Sequence, residues 1–264
     1  MIHFLDETIS PLEIQRKMQQ QNQIRFGIGR IARLAAVIAV FALMSGVALA
    51  QTTYSNIDQK TGWQSCSACA GAGGTGPVAT LSSASGVSSP SKDGNSRRFS
   101  IGGSRAYANA LWWKQLGANA GASHFVYDLY YYTKTPTAAQ ALEFDVNQSR
   151  YSKKYIFGTE CDFSGTHTWH VYDPYNHVWR STSIACNRPK AYAWNHVVLE
   201  FNRTSTGKTG FVTVTINGSK HYFNRSYAPR ASSAKEINVA FQMDMNKYAT
   251  DYVVYLDKVT LKYW

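Results

Sequence analysis

The sequence predicts an all-β protein, a two-sheet antiparallel jelly-roll sandwich, and three observations carry that prediction. Apolar residues recur with a period of two over about a dozen short segments. Turn residues separate those segments at short intervals, with Asn217-Gly218 giving the strongest hairpin signal. No long stretch shows the 3.6-residue apolar period of a helix, while 17 Tyr and 7 Trp supply the large rings that strands favour.

The chain has 264 residues and a formal net charge of +11. Arg25, Arg30 and Arg33 precede an apolar run from Leu34 to Val47, and Ala48-Leu49-Ala50 has the small-x-small pattern of a signal-peptidase site. Residues 1–50 are therefore expected to be an export signal of bacterial type, directing the chain to the periplasm, cell surface or medium. The apolar run is shorter than the roughly 20 residues that span a bilayer, so membrane association is expected only if the segment stays uncleaved. Met18 is an alternative start.

Without residues 1–50 the net charge is +9, spread as single residues or pairs such as Arg97-Arg98 and Lys153-Lys154. Such scatter disfavours nucleic acid as a partner and suits an anionic polymer or simple solubility. Residues 51–94 are rich in Ser, Gly, Thr and Ala and read as an irregular arm, pinned by a Cys66–Cys69 loop disulfide. A single C-x-x-C with this spacing to Cys161 and Cys186 matches no zinc module, and Cys161 is expected to pair with Cys186 across a second loop.

The sandwich is expected over residues 95–264. Its strands are Arg97 to Gly102, His124 to Thr133, Ala141 to Gln148, Lys154 to Phe163, and His167 to Asp173. The turn Asp173-Pro174-Tyr175-Asn176 leads to His177 to Thr182. His196 to Arg203, Gly210 to Ile216, Lys220 to Asn224, Glu236 to Met245 and Tyr252 to Tyr263 complete the series. Pro136 to Gln140 and Ala108 to Leu116 read as single helical turns.

Ala141 to Gln148 is the most informative segment. Leu142, Phe144 and Val146 share one face, which leaves Glu143, Asp145 and Asn147 in file on the other. Two carboxylates and an amide in a row fit a polar groove, or equally an acidic ladder that only orders loops. If this strand forms a hairpin with Lys154 to Phe163 about Tyr151 and Ser152, Glu143 faces Glu160, and two crowded carboxyl groups split their pKa values. That is the arrangement acid/base work on a glycosidic bond needs. Glu236 to Met245 likewise puts Asn238, Gln242 and Asp244 on one face. Trp113, Trp169, Tyr130 and, beside them, Trp112, Tyr132 and Tyr172 are candidate stacking platforms for sugar rings, and His170 lies near the groove. Trp194 is assigned to the fold.

Trp194-Asn195-His196-Val197-Val198-Leu199-Glu200-Phe201, then Phe211 to Gly218 and Leu256 to Leu261, resemble strands of the concanavalin A-like lectin/glucanase superfamily, laminin G-like domains included. The resemblance covers roughly Phe99 to Trp264 and is one of strand pattern. It implies glycan binding, with glycoside hydrolysis, lyase chemistry or surface adhesion as alternatives. Glucanase-type members carry E-x-D-x-x-E or E-x-D-x-E on one strand. Here Glu143 and Asp145 match the first two positions, but Asn147 and Gln148 stand where the acid/base should be. Lectin-type metal ligands are replaced by Ser149, Lys154 and Thr159. No cofactor is expected, apart from a single Ca²⁺ held by other oxygens as an open alternative. The expected function is that of an exported polysaccharide-binding protein using Asn147, Trp169, His170, Gln242, Asp244, Trp113 and Tyr130. Any catalysis would fall to Glu143 with Glu160 or Asp145.

Overall fold

The computed structural model describes Arg16 and residues 50–264, other than 68–75, 79, 104 and 120. The expected export segment, Arg16 and Ala50 apart, and Cys69 lie outside the described residues. The strands are β1 (Thr52–Tyr54), β2 (Gln64–Ser67), β3 (Gly76–Pro77), β4 (Thr80–Val87), β5 (Ser96–Gly102) and β6 (Ala108–Gln115). Next come β7 (His124–Thr133), β8 (Ala139–Arg150), β9 (Lys153–Asp162), β10 (Thr168–Asp173) and β11 (Val178–Ala185). The last are β12 (Ala193–Arg203), β13 (Thr209–Ile216), β14 (Ser219–Tyr227), β15 (Arg230–Ala231), β16 (Glu236–Met245) and β17 (Tyr252–Tyr263).

They form two sheets. The eight-stranded sheet runs β14-β13-β12-β7-β17-β5-β4, with β1 also on β17. The nine-stranded sheet runs β11-β10-β9-β8-β16-β6-β2, with β15 on β9 and β3 on β6. Among the described residues every pairing is antiparallel except that of β3 with β6. The chain is thus an all-β antiparallel sandwich of the predicted jelly-roll class.

The period-two faces decide where the core sits. Phe125, Tyr127, Leu129 and Tyr131 of β7 are buried and face Leu142, Phe144 and Val146 of β8 across the two sheets. Rings from the two sheets meet directly: Phe99 lies 5.0 Å from Phe241, Phe125 5.2 Å from Phe157, and Tyr131 5.7 Å from Phe144, between centroids. Such pairs add to the burial term about 0.5–1.5 kcal/mol each.

Two expectations are corrected. The stretch 51–94 is not merely an arm, since β1 pairs with β17, β2 with β6 and β4 with β5. What ties it down is the buried turn Ile57–Gln59: Asp58 Oδ1 accepts the Val259 N–H, and Arg97 donates to the carbonyls of Asp58 and Lys60. Ser and Thr suffice for edge strands, because the ladder is made by backbone groups and few side chains there reach the core. The segment Ala108 to Leu116 forms strand β6 over Ala108–Gln115 and not a helical turn. Its local propensity is overruled by neighbours on both sides, and Ala108, Ala110 and Trp112 alternate into the core.

Cys161 and Cys186 are bonded, 25 positions apart in sequence. Cys66 is also disulfide-bonded, and the expected partner Cys69 lies outside the described residues. In the chain-entropy view the Cys161–Cys186 loop contributes about 3 kcal/mol. A Cys161→Ser/Cys186→Ser double variant should therefore melt lower by roughly 6–12 °C in calorimetry. An unchanged melting temperature would contradict a constraining role.

Candidate functional site

β8 and β9 pair in the expected register, so Glu143 lies opposite Glu160, Asp145 opposite Gly158 and Asn147 opposite Ile156. On its other side β8 sets Gln242, Ala240 and Asn238 of β16 beside the same three residues. Rows of side chains therefore run across the outer face of the nine-stranded sheet. One row reads Ser181, His170, Glu160, Glu143, Gln242, Leu111. The next carries Gly158, Asp145, Ala240 and Trp113, with Tyr172 and Trp179 paired at its β10–β11 end.

That second row makes a cleft of about 330 Å³. Gly158 and Ala240 have almost no side chain, so the sheet surface dips on either side of Asp145. A Cβ at Gly158 would lie 3.0 Å from the Cβ of Tyr172 and 3.5 Å from Cη2 of Trp179, so glycine is what keeps that floor open. Trp113 lines one side of the cleft, and Tyr172 with Trp179, rings 5.1 Å apart and edge to face, line the other. The indole Nε1 of Trp179 is buried and finds no acceptor among the described residues, so it is a donor in want of a partner. Asn147 donates to Asn238 at 3.0 Å. Arg230 and Lys154 also line the cleft, the latter 2.9 Å from Glu236.

Behind this floor the acids converge. Glu143 and Asp244 are buried, and the side-chain amide of Gln242 donates to both, to Asp244 at 3.1 Å. Burial, reinforced by Asp244, Asp145 and Glu160, pushes the Glu143 carboxyl well above its ordinary range. Asp244 is raised in the same way, by burial and then by Glu160. Asp145 is pushed up to about 7 by burial, although the Thr159 N–H bonded to it works against the rise. Asp162 goes the other way. Burial raises it, but the N–H groups of Thr166, Gly165 and Ser164 outweigh that and hold it below the usual carboxylate value, so its charge organises the β9–β10 turn. His170 bonds Thr166 through Nε2 at 2.7 Å, and its Nδ1 lies 3.0 Å from Glu160, off the line of a hydrogen bond.

The Glu143 carboxyl, raised beside Glu160, and Asp145, which titrates at about 7, place acid/base capacity next to a cleft. Two sets of donor atoms lie within 4.8 Å of one another: the carboxylates of Glu143, Glu160 and Asp244, and those of Glu160 and Asp162 with His170. The first set is all oxygen, the donor type of hard cations such as Ca²⁺.

Several expected site residues fall elsewhere. Trp169 neighbours His170 in sequence and so points to the opposite face, where it is buried 6.4 Å from the Phe144 ring. Trp112 is core for the same reason of alternation. Tyr130 belongs to the eight-stranded sheet, stacked on His196 at 4.2 Å, and Tyr132 lies 5.4 Å from Trp194 on that sheet. None of the four lines the cleft. Trp113, Asn147, Glu143 and Asp145 do line it, whereas Gln242, Asp244, Glu160 and His170 stand behind. Trp179, Arg230, Gly158 and Ala240 went unpredicted. The turn at Asp173 to Asn176 held the signal for Trp179, because closing it pairs Tyr172 with Trp179.

No family model matches the chain, and no curated protein is similar to it. Among solved structures it is similar to a carbohydrate esterase from the Shiga toxin-encoding bacteriophage phi24B, at 14% identity and TM-score 0.46, over 81% of this chain and 99% of that one. It is also similar to arcelin-5, a lectin-like defense protein of Phaseolus vulgaris, at 9% identity and TM-score 0.43, over 81% and 97% of the two chains. A family 11 carbohydrate-binding module from Clostridium thermocellum, in complex with a mixed-linked tetrasaccharide, matches at 11% identity and TM-score 0.38, over 81% and 96%. These identities are too low to carry any residue's role from those proteins to this one.

Proposed function

We propose that the protein is an exported polysaccharide-binding protein and that the cleft over Asp145 is its binding site. The observation that carries this reading is the pair Trp113 and Trp179 on either side of a floor of Gly158, Asp145 and Ala240. A sugar ring presents flat C–H faces and a hydroxyl rim. The tryptophans offer faces and a buried N–H, while Asn147, Asn238 and Asp145 offer both donors and acceptors. The test is isothermal titration of residues 51–264 with a panel of neutral and uronic polysaccharides. At least one should bind, and Trp113→Ala and Trp179→Ala should each weaken it about tenfold or more. Unchanged affinity in both variants would remove the cleft from the reading.

One observation favours a second reading, hydrolysis or lysis of the bound chain: the buried Glu143, its carboxyl raised well above the ordinary range, lies directly opposite Glu160. Under that reading polysaccharide digests contain new reducing ends or unsaturated products, and Glu143→Gln abolishes them while binding persists. Binding without any product leaves the protein a binding module.

A further inference from the structure

The molecule has a second pocket, of about 540 Å³, far from the acid row in chemistry. It lies where strands of both sheets meet: Cys161 of β9 and Trp169 of β10 line it from the nine-stranded sheet, Tyr131 of β7 and Trp194 of β12 from the eight-stranded one. The segment from Ala185 to Lys190, held to β9 by the Cys161–Cys186 bond, supplies a further wall. Among the described residues no Asp or Glu lines it, whereas Arg188, Lys190 and His221 do.

One buried group in it is unsatisfied. Trp169 is 2% exposed, and its indole Nε1 has no hydrogen-bond partner among the described residues. A buried donor without an acceptor costs about 1–3 kcal/mol, so a native fold retains one mainly where something else supplies the acceptor. The volume falls within the roughly 300–1,000 Å³ of small-ligand sites. The lining gives the ligand's chemistry: partly exposed Trp194 offers a ring face, Asn187, Asn195 and Asn217 bring amides, and the unopposed cations select negative charge.

We propose that this pocket is a second saccharide site, specific for an acidic sugar, with Trp169 donating to the sugar and Lys190 and Arg188 facing its carboxylate. Arg188 also bonds the Ser164 hydroxyl at 3.0 Å and so orders the wall it belongs to. The site is independent of the Asp145 cleft, and neither reading needs the other.

The test is a ¹H–¹⁵N NMR titration of residues 51–264 with galacturonate and, separately, galactose. The indole N–H signal of Trp169 is identified by its loss in Trp169→Phe, and those of Trp113 and Trp179 report on the cleft in the same spectra. Galacturonate at up to tens of millimolar should move the Trp169 signal, and galactose should move it far less. Lys190→Gln, a change at an exposed position, should weaken that response roughly threefold or more, as expected for loss of one partly screened charge pair. A Trp169 signal that stays fixed, that responds equally to both sugars, or that titrates unchanged in Lys190→Gln overturns the proposal, whatever the Trp113 and Trp179 signals do.

Discussion

A Glu143→Gln variant is expected to melt at a higher temperature than the wild-type protein at pH 8, and at nearly the same temperature at pH 4. Glu143 is buried with its carboxyl well above the ordinary value, so the folded chain holds a proton that the unfolded chain releases. Stability from such a group is present below the unfolded pKa and is lost as pH rises through the folded one. Asp145 and Asp244 are raised by the same cause, and Asp145 places its part of the loss between about pH 4 and about 7. Wild-type stability should therefore fall across this window, by roughly 10 °C in melting temperature between pH 5 and pH 8. Glutamine keeps an acceptor for Gln242 and a donor where the protonated acid had one, without a charge to suppress. Asp58, pushed up to about 7 chiefly by its burial within the turn Ile57–Gln59, titrates in the same window. An Asp58→Asn variant measured alongside separates its share. Calorimetry from pH 4 to pH 9 in chelator-treated buffer decides the matter: parallel profiles for wild type and Glu143→Gln would mean that the acid row is not strained by its own charge.

The second large effect is expected at Gly158. A valine there suits a strand, and no positive φ at this residue demands glycine. Its branched side chain would stand over Asp145 between Tyr172 and Trp179 and fill the floor. Polysaccharide binding should fall by more than tenfold with the strand pairing intact, the cost to stability being about 1–3 kcal/mol of overpacking against Tyr172. Far-UV circular dichroism and titration of one preparation check both parts. Wild-type affinity in a folded Gly158→Val protein would place the ligand elsewhere.

The polar face of β8 was legible because a period of two leaves no freedom: once Leu142, Phe144 and Val146 face the core, Glu143, Asp145 and Asn147 cannot. Its pairing with Glu160 was legible too, since a short hairpin fixes register through its turn. The aromatic platforms were read less well. Trp169 and His170 are sequence neighbours and were both assigned to the groove, although adjacent strand residues face opposite ways. Only the pairing of His170 with Glu160 tells which of the two shares the polar outer face, and even that one stands outside the cleft. Trp179 was missed because its strand is exposed and its place depends on a turn closing correctly.

By itself the sequence determined the class of fold, most strand positions and the faces of each strand, because alternation and turn chemistry are local properties of the chain. Tertiary structure decided which faces meet. It brought β16 beside β8 across almost a hundred residues, gathered Asp244 and Gln242 around Glu143, and opened the cleft by setting Gly158 and Ala240 on either side of Asp145. Non-local strand order and the burial that follows from it have no signature in any short window of sequence. The raised carboxyl groups, which exist only because several acids are buried together, inherit that dependence.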